Sequence, residues 1–215
     1  MAEGYKVLYE EATAEIVEKK SRFIAYLKPV NSEEEVGAFV DSIKKMNWNA
    51  RHNCSAAVVG LNNEFSRCSD DGEPSGTAGK PMLEVLLGEG VHNIAVVVTR
   101  YFGGILLGTG GLVRAYQKAV KEGLAVAKIL EKQQGFQVTI KTDYNGLGKI
   151  QYLAAQEGIF TVDTQYAEDV TVILMVGTDV WNSFSKKVTE ATNGKAVIEK
   201  SDEMYYGILD GELIL

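Results

Sequence analysis

Within VHNIAVVVTRYFGGILLGTGGLVRAYQ, residues 91–117, one short run limits the fold more than any other feature. Residues 94–98 are apolar without interruption, whereas a strand with one wet face would alternate. The run reads as a strand buried on both faces, so other elements must cover it from either side. GLVRAYQKAVKEGLAVAKIL, at 111–130, reads as a long helix. Between the two, RYFGGILLGTGGLVRAYQ places five glycines in eighteen residues. A glycine inside a helix costs about 1 kcal/mol relative to alanine, so that density belongs to the crossing from strand to helix.

Two readings of the crossing stand side by side. Helix starts expose unpaired N–H groups and the positive end of the helix dipole, and glycine lets a phosphate approach the main chain. On that reading Gly103, Gly104, Gly108, Gly110 and Gly111 present an anion site, with Arg100 and Arg114 as charged donors. On the other, the glycines permit a tight turn and close helix-to-sheet packing. The loop matches neither a Walker motif nor a dinucleotide fingerprint, which weighs against ATP and NAD. Tyr101, Phe102 and Tyr116 offer stacking surfaces for bases, or core packing.

A second stretch, RCSDDGEPSGTAGKP at 67–81, carries Arg67 and then the small residues Ser75, Gly76, Thr77 and Gly79, with Lys80 and Pro81 at a helix start. These too suit an oxyanion. Asp70, Asp71 and Glu73 raise a metal or acid–base possibility, although DDGEPSG is also ordinary turn chemistry. With only His52 and His92 in the chain, Ser75 and Thr77 lack a base partner, and both histidines read as structural. His52 and Cys54 share a strand face, but no third group orients them as a dyad.

The remaining sequence supplies the frame. SRFIAYLKPV reads as a strand, and Ser32 with Glu35 stands in the capping-box relation ahead of a helix over 33–46. CSAAVVG and residues 64–68 read as strands joined by an Asn62-Asn63 turn, and PMLEVLLG as a helix. Polar LEKQQG, at 130–135, reads as a linker. Beyond it, FQVTIKT, YNGLGKIQYLAAQEG, IFTVDTQY, DVTVILMV, DVWNSFSKKVTEATNG and KAVIEKSDEMY give a β-α-β-β-α-β order, the ferredoxin-like arrangement. The expected class is α+β, with one domain over 1–132 and a ferredoxin-like domain over 135–215.

The net charge is −7, but its distribution is uneven. Through Lys132 the chain has 16 basic and 17 acidic residues, and from Gln133 on it has 6 and 12. The first part is therefore free to carry a local basic face. No apolar run is long enough for a bilayer and the first residues lack a signal-peptide core, so a cytoplasmic protein is expected. Cys54 and Cys68 read as reduced thiols, and neither metal nor cofactor is expected.

RCSDDGEPSGTAGKPMLEVL followed by VVVTRYFGGILLGTGGLVRAY closely resembles the signature of the IMPACT family, and the likeness spans essentially the whole chain in the layout of the bacterial members. The resemblance implies an N-terminal fold like the second domain of small-subunit ribosomal protein five, shared with elongation factor G and with kinases that hold phosphate on a glycine-rich loop. It also implies a C-terminal domain similar to ferredoxin-like domains of elongation factor G. Eukaryotic members add an RWD domain and regulate translation through the kinase of initiation factor two. No RWD module is expected before the first strand here, so that mechanism does not carry over. What the resemblance implies is association with RNA, nucleic acid or the ribosome in translation; it supplies no catalytic residues. The anion-binding set is then Arg67, Ser75, Gly76, Thr77, Lys80, Arg100 and Arg114 with the glycines of the loop. The rival is an enzyme acting on a phosphorylated small molecule in the same pocket, with Asp71 or Glu73 as base.

Overall fold

The computed structural model describes residues 4–214; residues 1–3 and 215, part of the two expected domains, lie outside the described residues. Contacts divide the chain into two compact units, one over 5–131 and one from Lys132 on together with Gly4. The chain is α+β, with a sheet in each unit.

In the first unit the order is β1 (Tyr5–Leu8), β2 (Ala12–Glu18), β3 (Ser21–Pro29), α1 (Glu33–Met46), β4 (His52–Val59), β5 (Phe65–Ser69), α2 (Gly79–Glu89), β6 (Val91–His92), β7 (Ile94–Tyr101) and α3 (Thr109–Val126), leading into β8 (Ile129–Thr142). Five strands form an antiparallel sheet in the order β2-β3-β7-β4-β5. β7 is the central strand, and its unbroken apolar run has a simple cause. Val96 and Val98 point into a core shared with Met82 and Leu86 of α2 and Ala119 and Val120 of α3. Ala95 and Val97 point the other way, onto Val36, Phe39 and Ile43 of α1. The unit is three layers deep because this strand must be dry on both sides.

Local signals set the helix boundaries. The Ser32 hydroxyl accepts from the Glu35 N–H at 3.2 Å, and the Glu35 carboxylate accepts from the Asn31 N–H at 2.8 Å. This is the capping box displaced by one residue on its return bond. Gly90 ends α2 in the left-handed region, φ 64°. Gly108 stands at the N-cap of α3 with φ 71° and ψ 166°, which only glycine adopts readily, and no side chain caps the helix.

The second unit continues with α4 (Tyr144–Gln156), β9 (Phe160–Tyr166), β10 (Val170–Gly177), α5 (Trp181–Ala191), β11 (Val197–Lys200), β12 (Met204–Leu209) and β13 (Glu212–Ile214). β11, β8, β10 and β9 lie side by side in that order, antiparallel throughout. Val138, Ile140, Val172 and Leu174 meet Ile150 and Ala154 of α4 and Phe184 and Val188 of α5.

Three sequence expectations need correction. LEKQQG does hold the division between the units, at Glu131/Lys132, but it is strand rather than an irregular linker: it lies within β8, where the Gln133 Oε1 accepts from the Tyr206 hydroxyl at 2.9 Å and the Gln134 amide donates to the Tyr205 hydroxyl at 2.8 Å. Its two glutamines are satisfied by tyrosines far along the sequence, which no local pattern reveals. The long helix stops at Val126, because Ile129 and Leu130 already belong to β8. KAVIEKSDEMY is two strands, and β12 turns back into β13 through Asp210 and Gly211, at φ 51° and 84°.

The glycines of the crossing therefore divide by function in the fold. A Cβ on Gly103 would overlap the Lys20 carbonyl, so this glycine lets the loop lie against the tip of the β2–β3 hairpin. At Gly110, in the first turn of α3, a Cβ would meet only the Arg114 guanidinium, at 3.7 Å. Gly103→Ala is expected to destabilise the protein by about 1–3 kcal/mol through overpacking, and Gly110→Ala to stabilise it by up to about 1 kcal/mol. Urea unfolding of the two variants gives the signs directly.

Candidate anion-binding surface

The residues singled out in the sequence do not form one site. Arg67 is exposed on β5 and pairs with Glu33 of α1 at 3.2 Å, in a groove on the α1 side of the sheet. Arg100 is no free anion ligand, because it is 7% exposed and its Nη1 donates to Glu73 Oε1 at 2.7 Å. A guanidinium carried by the central strand is drawn into the interior, and only a carboxylate makes that tolerable.

The start of α2 has the small residues an oxyanion site needs, but the chain fills it with its own anion. Asp70 accepts from the N–H groups of Gly76 at 2.8 Å, Ala78 at 3.0 Å and Gly79 at 2.8 Å. Burial disfavours the charged Asp70, yet those backbone donors outweigh it and hold the carboxyl below its ordinary pKa. Thr77 is buried and its hydroxyl donates to the Pro74 carbonyl at 2.6 Å. Ser75 and Lys80 are exposed beside a helix end that is already closed.

The other carboxylates of DDGE are equally committed. Asp71 pairs with Lys44 at 2.6 Å and accepts from the Asn53 N–H at 2.7 Å. Glu73 accepts from Tyr116 at 2.9 Å as well as from Arg100. Cys54 Sγ lies 2.9 Å from the Asp70 carbonyl, which accepts its proton, and 3.3 Å from the Tyr116 hydroxyl. Burial pushes the Cys54 thiol up to about 12, so it stays protonated and unreactive at neutral pH. His52 and His92 each hold a backbone carbonyl through Nδ1, of Asp71 at 3.0 Å and of Gly60 at 3.1 Å. Among the described residues no three His, Cys, Asp or Glu side chains are grouped as a metal site would require, and no helix is long and apolar enough to cross a membrane.

The start of α3 differs. Its first-turn N–H groups have no side-chain cap and no acidic neighbour in the turn. Arg114 is exposed and among the described residues has neither hydrogen bond nor ion pair. A pocket of about 250 Å³ opens here, lined by Glu18, Lys19, Leu107, Gly111, Arg114 and Lys118. Three cations thus face one carboxylate beside an uncapped helix start. Gly108, Gly110 and Gly111 belong to this surface, and Gly104 to the turn before it, at φ 84°.

Lys19 and Lys118 escaped the sequence reading. Lys118 sits one turn beyond Arg114, where helical spacing puts it on the same side. Lys19 comes from the β2–β3 turn, in which Glu18 pairs with Ser21 and the two intervening lysines take φ 45° and 66°. That is the geometry of a two-residue hairpin turn, where Asn-Gly is usual. The signal was EKKS between two alternating runs. Of the three aromatic residues, Tyr116 is core, wholly buried and edge-on to Phe23 at 5.2 Å. Tyr101 is half-buried and Phe102 is 54% exposed.

A two-unit α+β protein with a basic pocket between a hairpin tip and an uncapped helix start is the class these observations define. The chain belongs to the IMPACT family. Residues 19–124 match the Impact N-terminal domain, and residues 140–195 match a domain of unknown function, DUF1949. The IMPACT family member YvyE of Bacillus subtilis is 44% identical over 205 residues, covering 95% of this chain and 94% of that protein. YigZ of Escherichia coli is 39% identical over 178 residues, covering 82% and 87%. A crystal structure described as that of a hypothetical protein superposes with a TM-score of 0.59 at 36% identity, over 92% of this chain and 97% of the other.

Two variants test the electrostatics. Asp70→Ala is expected to cost about 1–2 kcal/mol at pH 7 as a lost helix cap. Because the folded pKa of Asp70 is lowered, its contribution is present above the ordinary carboxylate range and lost as pH falls through the folded value. The gap to the parent should therefore close in acid. Arg100→Met, which strands Glu73 in the interior, should cost about 3–5 kcal/mol, read by urea unfolding at pH 7.

Proposed function

We propose that this protein is a translation-associated binding protein that contacts RNA, on the ribosome or apart from it, through the surface at the start of α3. The observation that carries the reading is the meeting of Lys19, Arg114 and Lys118, none with an ion-pair partner among the described residues, around uncapped N–H groups. Cations of an acidic chain left without carboxylate partners suit a polyanion such as the RNA backbone. The link to translation comes from the IMPACT resemblance.

The wider reading of the architecture supports this. The strand order β11-β8-β10-β9 with two helices suits a ferredoxin-like domain over 135–215, similar to those of elongation factor G. The three-layered first unit, over 5–131, suits the fold of the second domain of ribosomal protein five. The rival enzyme reading gains nothing from the same geometry, since Asp71 and Glu73 are both tied up in protein contacts.

Fluorescence anisotropy of a labelled single-stranded RNA over a range of salt tests the reading. Arg114→Ala and Lys118→Ala should each weaken binding and flatten the plot of log affinity against log salt by about 0.7 per lost phosphate contact. Variants that keep the parental melting temperature, affinity and slope would leave the glycines as packing devices alone.

A further inference from the structure

The Phe102–Leu107 segment separates the basic pocket from a larger cleft, contributing Leu107 to the first and Phe102 and Leu106 to the second. This cleft measures about 640 Å³, within the range of small-ligand sites. Arg51, His52 and Arg100 line it and no carboxylate does. Its aromatic wall is Tyr101 and Phe102, with Asn49 beside Tyr101. Two of the lining residues carry large exposed apolar side chains, Phe102 at 54% and Leu106 at 81%. Such a group, in a protein with ample core, marks a surface that is covered in use.

Phe102 is held in place from beneath. The Arg100 guanidinium lies 5.5 Å from the Phe23 ring and 5.6 Å from the Phe102 ring, and Glu73 fixes it from the side. The Arg100 guanidinium thus lies between the two rings, with its Nη1 committed to Glu73. The result is an aromatic face on the wall of a cleft where Arg51 supplies the guanidinium without an ion-pair partner among the described residues, the charge of Arg100 being matched by Glu73. Asn49 shares a hydroxyl contact with Tyr101 through Oδ1, at 3.2 Å, and its amide nitrogen has no partner among the described residues.

We propose that this cleft receives an unstacked base of single-stranded RNA, with Phe102 as the stacking platform and Asn49 and Arg51 contacting the base edge and its phosphate. The proposal rests on the reading of the α3 surface as the place where the same strand's backbone lies. An aromatic face stacks on any base, whereas a base inside a duplex is not available to it. An unpaired Arg51 and no lining carboxylate suit a polyanion and disfavour a basic peptide.

The test compares a short oligouridine with an oligomer of equal length and charge in which every position is abasic. The parent protein should bind oligouridine roughly five-fold or more tighter than the fully abasic chain, by the usual strength of base stacking. Phe102→Ala should equalise the two oligomers and keep the salt slope. Phe102→Leu, which keeps apolar volume without the ring, should behave in the same way. Arg114→Ala should weaken both oligomers and keep their ratio. Equal parental binding of the two oligomers, a ratio unchanged in a folded Phe102→Ala protein, or preference for duplex RNA would overturn the cleft proposal while sparing the phosphate reading. Failure of both oligomers to bind would overturn the two together.

Discussion

A guanidinium shut away from water must have a carboxylate beside it, and Arg100 has Glu73 at 2.7 Å with both side chains almost wholly buried. Much of the first unit is fastened to that pair. Arg100 is on the central strand, Glu73 is in the turn ahead of α2, and Tyr116 of α3 donates to the same carboxylate oxygen. Cys54 on the neighbouring strand closes the set against Tyr116. Burial, with Cys54 and Glu73 adjacent, pushes the Tyr116 hydroxyl above its ordinary pKa, so it is a donor at neutral pH. A pair of this kind adds little net stability compared with apolar residues of the same size. What it does is join sheet, turn and helix, since Arg100, Glu73 and Tyr116 come from three different segments.

Two helix starts in this unit follow the same recipe of small residues and end differently. At α2 the preceding turn folds back and Asp70 takes up the free N–H groups, which makes the segment a rigid spacer. At α3 no acidic side chain returns, and the nearby charges are cations. Composition does not distinguish them. What does is whether a carboxylate a few residues upstream can reach, and that depends on the direction in which the turn leaves β5 or β7.

Legibility followed the range of the interactions. The two-faced burial of β7, the Ser32 cap, the Asn62-Asn63 turn and the β-α-β-β-α-β order all arise from neighbours in sequence and were readable from it. The course of β8 was not, because Gln133 and Gln134 are satisfied by Tyr206 and Tyr205. At the candidate site, Gly108, Gly110, Gly111 and Arg114 were recognisable from the helix start they make. Arg100 misled, since a cation before a glycine loop looks the same whether Glu73 reaches it or not. Lys19 was missed because it is brought to α3 by pairing of β2 with β3, β3 with β7, and the close passage of Gly103 over Lys20.

The Lys19-Lys20 turn bears on how such a protein can be altered. Two side-chain-bearing residues in the left-handed region are held there at a cost of order 1 kcal/mol or more each, which glycine or asparagine would avoid. Selection for thermal stability alone would therefore favour an Asn-Gly hairpin tip and erase one of the three cations of the α3 pocket. In this protein a gain in melting temperature at that turn and the retention of its charge are opposed objectives, set against each other by two backbone angles.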